Sequence, residues 1–288
     1  MDISQEAPAA FRTTATRPGP LGLLGEAIDD LTSRWRLIRY LARADLKRKG
    51  TDTLFGNIWW VLDPLLQMTV YVILVTVIFQ RQQEAYPLFI FAAILPWKWF
   101  STVISDAITS LTGQERLIKQ IQFPKIVLPS AAMLAGIAQF LFGLIPLGAM
   151  LVIFYTSRIT ASLLFIPVIA VVQFVFTLAL GYVLAALNVF FRDIGNLARH
   201  VLRLWFYLSP ALYGAETIAK LTDQHPTIAR IMHLNPFFAI LESYRDAIYY
   251  GRSPDFFLLG AVFVASIAFL VVGTIFFKRV EPSFAKVL

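Results

Sequence analysis

The sequence predicts an all-α integral membrane protein with six transmembrane helices, an N-terminal amphipathic helix at the membrane interface, and re-entrant helices between the fifth and sixth spans. Three observations carry this. Hydrophobic residues make up 58% of the 288 and charged residues only 15%, with a mean hydropathy of +0.68. An ordinary soluble domain is about 45–50% apolar and about 25% charged. The surplus exceeds what one buried core of this size takes up, and it is what lipid-facing helices need. Apolar stretches of about 20 residues, the length that crosses a hydrocarbon core, also recur between polar segments. Lysine and arginine are shared unevenly among those segments.

Taken in order, residues 1–30 are expected to be a disordered cytoplasmic tail. The opening MDISQEAPAAFRTTATRPGPLG is polar, holds Asp2 and Glu6, and lacks the apolar core of a cleavable signal peptide. Residues 31–50 read as an amphipathic interface helix. Trp35, Ile38, Leu41, Ala42 and Leu46 recur at helical spacing, and Arg34, Arg36, Arg39, Arg43, Lys47, Arg48 and Lys49 take much of the remainder. The alternative is a surface helix on a soluble domain, but a membrane span follows at once. Residues 51–288 form the transmembrane domain. Its spans are expected near 57–79, 87–111, 126–155, 161–190, 198–214 and 256–277. The tail and the loops with Arg116, Lys119, Lys125, Arg192, Arg199, Arg203, Lys278, Arg279 and Lys286 are basic, whereas the first and third loops carry only Arg81 and Arg158. Both termini are therefore expected in the cytoplasm.

Between the fifth and sixth spans, 215–255 is mixed in polarity. Asn235-Pro236 reads as a helix start, with Asn as cap and Pro at the first position. Phe237, Phe238, Ile240, Leu241, Tyr244, Ala247 and Ile248 follow as an apolar stripe, and Gly251 suits the end. A helix too polar to span and too apolar to float free suits a re-entrant pair; a surface-lying extracellular helix is the alternative.

Several chemistries lack their residues. No Gly-Lys pair occurs, so there is no P-loop, and Gly-x-Ser-x-Gly is missing. His200, His225 and His233 have no metal-ligand spacing, and there is no cysteine. The net charge of +7 fits attraction to anionic lipid better than nucleic acid. Asp63, Lys98 and Asp106 are the candidate ionisable residues of the membrane interior, and the first and last fit a place near the cytoplasmic interface, which is too little for the relays of a proton-driven carrier. No carboxylates group at one interface as a polyprenyl-phosphate glycosyltransferase would need. If transport is the task, its energy comes from a partner.

Four stretches resemble the membrane subunits of polysaccharide-exporting ABC transporters, which handle O-antigen, teichoic acid and capsule. They are LFGNIWWVLDPLLQM, ILPWKWFSTVISDAITSLTGQERLIKQIQFPKIVLPS, LNVFFRDIGNLARHVLRLWFYLSPALYG and LNPFFAILESYRDAIYYG, in family order from about residue 35 onward. Asp63 stands where such proteins typically have Asn before Pro. Drug- and lipid-exporting relatives share the fold and remain an alternative.

The resemblance implies a homodimer in a bacterial inner membrane, with a separate ABC subunit docked on each half. That partner would hold ATP and Mg, and this chain would need no cofactor. It implies a coupling helix near 113–122, with Glu115, Arg116, Leu117, Ile118, Lys119, Gln120 and Ile121 meeting the ATPase. A short charged helix between two spans also has little else to pack on. It further implies that the first, second and fifth helices line the pore.

Sugar rings lay their C–H faces on aromatic side chains, so Trp59, Trp60, Tyr71, Trp97, Trp99, Phe100, Trp205 and Tyr207 become path candidates, with Lys98 among them. For Trp59 and Trp60, ordinary interfacial anchoring is the alternative. Arg192, Arg199 and Arg203 are candidates for the diphosphate of a polyprenyl-linked polysaccharide, because guanidinium presents a fork of donors to phosphate; plain cytoplasmic anchoring is the alternative. Lys98 is expected to face the central path or meet a carboxylate, Asp63 being the obvious one, unless it snorkels to an interface.

Overall fold

The computed structural model describes residues 18–51, 54–80, 83–214, 227, 230, 232 and 234–288. Every regular element among them is a helix. Helix α1 is Pro20–Ser33 and α2 is Trp35–Gly50. Helix α3, Trp59–Val72, begins after a 3-10 turn at Gly56–Ile58 and runs on through a π-helical turn to Ile78. Next come α4 (Tyr86–Ser110), α5 (Glu115–Gln120) and α6 (Val127–Phe154). Helix α7 is Ile166–Phe190, preceded by a 3-10 turn at Ala161–Phe165, and α8 is Ile194–Leu208. Helix α9 (Pro236–Arg245) continues as a π-helix over Asp246–Tyr250, and α10 (Phe256–Val280) and the short α11 (Phe284–Val287) complete the order.

Five helices are long and apolar enough to cross a membrane: Gly56–Ile78, Tyr86–Ser110, Val127–Phe154, Ala161–Phe190 and Phe256–Val287. Four of them coincide within a few residues with expected spans, and the last begins at the expected residue 256 but runs to Val287, ten residues past the expected end at 277. The remaining one, expected near 198–214, is the 15-residue α8 followed by a turn. At about 1.5 Å per residue, α8 falls short of a hydrocarbon core of about 30 Å.

The expected disorder of 1–30 is corrected over its last third: residues 20–30 lie in α1. Pro20 is preorganised for the first helical position. Leu23 and Ala27 share one face and are buried, and Lys278 at the end of α10 reaches Asp30 at 2.7 Å and Glu26 at 3.1 Å. Packing and ion pairing thus override a composition that looked disordered. The expected helix at 31–50 is correspondingly broken at Arg34, which leaves helical geometry with φ −99° and ψ 17°. The rest of it, α2, lays Ile38 and Ala42 on Val127, Ala131 and Ala135 of α6, while its arginines stay exposed.

Helix α4 is the central post. Its apolar window is 78% buried, against 6% for the first span. It packs against α3, α6, α7, α8 and α9. Close approach to α6 needs Gly136: a Cβ there would stand 2.0 Å from Val103 Cγ2. Small residues at helix contacts are a common device where lipid removes the hydrophobic drive between helices.

Two buried amide side chains bond across helices. Gln173 Nε2 donates to the Pro96 carbonyl at 2.8 Å, and Asn188 Nδ2 donates to Ile108 O at 3.0 Å. Helix α9 starts where the sequence reads it: Asn235 Oδ1 accepts from Phe237 N at 3.0 Å. Its apolar stripe is buried against α4, α7 and α10, and Gly251 ends the helix at φ +66°. Residues 215–226, the first part of the segment between the fifth and sixth spans, lie outside the described residues.

Candidate functional site

The nine path candidates separate into three groups. Consecutive residues on an α-helix point about 100° apart, so Trp97, Lys98 and Trp99 cannot share one face.

The first group surrounds a cavity of about 420 Å³ between α3, α4 and α6. Trp59, Trp60 and Asp63 come from the start of α3, Lys98 and Trp99 from the middle of α4, and Phe140 from α6. Trp99 stacks on Phe140 with centroids 4.4 Å apart and closes the back wall. Lys98 Nζ lies 2.6 Å from Asp63 Oδ2. Lys98 is 12 residues beyond Tyr86, about 18 Å along the helix at roughly 1.5 Å per residue. A half-exposed ion pair therefore stands near the middle of a spanning helix, the placement expected of a functional charge in a membrane. Lys49, at the end of α2, also lines the cavity and pairs with Asp106 at 2.5 Å.

The second group is internal. Trp97 is 4% and Phe100 0% exposed. Trp97 meets Phe237 at 4.7 Å, and Phe100 meets it at 4.4 Å. Trp205 joins both rings, at 6.2 Å and 5.6 Å, and its indole N–H donates to Asn235 Oδ1 at 2.9 Å. These three residues cement α4, α8 and α9 together within the chain. With Phe100 fully buried, it offers no ring face to a passing molecule in this arrangement.

The third group is Tyr71 and Tyr207, whose hydroxyl oxygens lie 3.4 Å apart on an open flank between α3 and α8. Tyr207 is exposed, as are Val70 and Val77 of the first span and Leu204 and Leu208 of α8.

The coupling segment forms α5. Glu115 and Lys119 pair at 2.7 Å across one turn. The Lys119 ammonium holds the Glu115 carboxyl below its ordinary range. Ile118 is buried in a cluster with Leu111, Phe284 and Leu288, which ties α5 to the C-terminal helix α11. Leu117 is half-buried, while Arg116, Lys119, Gln120 and Ile121 remain exposed.

Arg192 and Arg199 line a cavity of about 430 Å³ together with Glu115, Asn188 and Asn196. Arg199 donates to Asn196 Oδ1. Arg203, one turn further along α8, is exposed and does not line that cavity. Among the described residues, no three of His, Cys, Asp and Glu are grouped as a metal site requires.

Two ionic features escape sequence reading. Arg245 is fully buried, pairs with Glu242 at 2.7 Å, and donates to the carbonyls of Tyr213 at 2.8 Å and Ala211 at 2.7 Å. Lys278, besides its two contacts to α1, meets Glu281 at 2.7 Å. Glu281 in turn accepts from the Lys125 backbone N–H. The three-residue spacing of Glu242 with Arg245, and of Lys278 with Glu281, is the only sequence signal of either.

Comparison with known proteins agrees with this architecture. Residues 36–249 match the family model described as ABC-2 type transporter. An O-antigen export system permease protein RfbA of Myxococcus xanthus is 33% identical over 250 residues, covering 87% of this chain and 94% of that protein. Two proteins of the same name from Klebsiella pneumoniae are each 27% identical, over 254 and 256 residues, with 88% of this chain and 95% of the relative covered. With the family matched across most of its length and five helices able to span a bilayer, the chain belongs to the ABC-2 type transporter family.

Proposed function

We propose that this chain is the membrane-spanning subunit of an exporter that moves a lipid-linked, O-antigen-like polysaccharide across a bacterial inner membrane. The observation that carries this is the near end-to-end match to three O-antigen export permeases, 94–95% of whose length is covered. Two copies of the chain would pair along the open apolar flank of α3 and α8, forming a homodimer. Each copy would dock one ABC subunit, which binds ATP and Mg, on the exposed face of α5, with Arg116, Lys119, Gln120 and Ile121 in contact. Leu117 and Ile118 would hold that helix from behind.

On this reading both termini are cytoplasmic. Helix α2 lies at the inner interface with its arginines toward headgroups. Helix α8 and the residues after it make the fifth crossing, and α9 belongs to a re-entrant unit. The polymer path uses Trp59, Trp60, Lys98, Tyr71 and Tyr207 directly. Trp97, Trp99, Phe100 and Trp205 support the walls. Arg192 and Arg199 receive the lipid diphosphate at the inner leaflet, and Arg203 attracts it from the flank.

The test is genetic and biochemical together. Deleting the gene should remove polysaccharide from the cell surface and leave lipid-linked polymer inside. The purified chain should hydrolyse no ATP alone and should co-purify with an ABC subunit. Normal surface polysaccharide in the deletion strain would contradict the proposal.

A further inference from the structure

The ion pair of Lys98 and Asp63 is only partly satisfied by itself. An ammonium has three donors and a carboxylate about four acceptor positions. The pair uses one of each, and 35% of Lys98 and 52% of Asp63 remain exposed. At this position along a spanning helix, lipid cannot meet that capacity, so water or a polar ligand in the cavity must. The unused capacity faces a cavity whose other walls include Trp59, Trp60 and Phe140. Its volume of about 420 Å³ lies within the ordinary range of small-molecule sites, about 300–1,000 Å³.

From this geometry we infer that the cavity is a subsite for one neutral sugar ring, held by two adjacent hydroxyls. This rests on the polysaccharide-export reading and names the chemistry of one station on that path. Each hydroxyl both donates and accepts. One donates to Asp63 while its neighbour accepts from Lys98, so the diol completes both charged groups without separating them. The aromatic walls take the apolar C–H face of the ring.

Charge balance selects against acidic sugars. Lys98 is neutralised by Asp63, and Lys49, the other lysine of the cavity, is neutralised by Asp106. A uronate or phosphate entering here would have to displace Asp63 from Lys98 and leave that carboxylate unpaired.

The experiment uses the purified full chain in nanodiscs. It is titrated with maltoheptaose and, separately, with an oligogalacturonate of similar length, and binding is read by saturation-transfer NMR. The neutral oligosaccharide should bind at least tenfold more tightly than the acidic one. The double variant D63L/K98M and the single variant Trp60→Leu should each weaken it at least tenfold. Trp60→Leu leaves the ion pair in place and decides the matter if the double variant does not fold. Absence of maltoheptaose binding, preference for the uronate, or unchanged binding in a folded variant each overturns the subsite. Association with an ABC subunit and surface export, measured in the same strains, report on the parent reading separately. If both persist while sugar binding does not follow these variants, the subsite alone is wrong.

Discussion

Lys98 on α4 and Asp63 on α3 lie 2.6 Å apart, and their bridge is the ionic contact that joins the first span to the most buried one. The first span also packs on α4 and α6, with Leu65, Met68, Tyr71 and Val72 against the core, and this pair adds an ionic tie to that packing. Lys98→Met alone leaves Asp63 without its cation, at a cost of about 1 kcal/mol after allowance for the pair's exposure. D63L/K98M should recover most of that, because it removes both charges together. Thermal unfolding of the three proteins in the same detergent checks the order. A single variant no less stable than the wild type would show that the pair holds nothing.

The protein has no cysteine, so one placed at position 98 reports alone. Lys98→Cys should react with a small water-soluble maleimide in the assembled transporter, as a wet cavity requires. Phe100→Cys, on the buried face of the same helix, should stay unreactive under the same conditions. Equal labelling of both, or of neither, would contradict the placement of these side chains.

Arg245 should be the most sensitive charged position. Its guanidinium satisfies Glu242 and two loop carbonyls with no exposure to solvent. Arg245→Met leaves a buried carboxylate and orphaned acceptors, a loss of about 3–5 kcal/mol. E242Q/R245M should recover part of this but not all, since the carbonyls of Ala211 and Tyr213 stay unpaired. Full recovery would mean that the carbonyl contacts contribute nothing.

Gly136→Ala should destabilise by about 1–3 kcal/mol through overpacking against Val103. Val103→Ala opens the space that the new methyl needs, so G136A/V103A should be more stable than G136A. Strict additivity of the two single effects would show that the residues do not touch.

Much of the helical frame was legible in the sequence because lipid imposes a length and a composition on whatever crosses it. Five spans fall near their expected places for that reason, and α9 begins at its expected start because Asn235 caps it. Helix α1 was not legible, since its order depends on Lys278, more than two hundred residues away in the chain. The shortness of α8 was hidden by apolar residues that run on past Leu208 into a turn. At the site, Lys98 and Asp63 could be matched because unpaired charges within a span are costly. The burial of Trp97 and Phe100 could not be read, because aromatic residues look the same in sequence whether they face a pore or a neighbouring helix. The contact of Trp97 and Phe100 with Phe237 arises from a segment that returns to pack on α4.

The central claim is that this chain supplies the path and a partner supplies the energy through α5. Ile121 is 53% exposed on that segment, whereas Ile118 is buried behind it. The most direct measurement is polysaccharide-dependent ATP hydrolysis and surface export by the full complex carrying Ile121→Asp. The account predicts a correctly folded membrane subunit that loses most of its co-purifying ATPase and at least tenfold of its export. Unchanged ATPase association and export in that variant, or ATP turnover by the isolated wild-type chain, would contradict it.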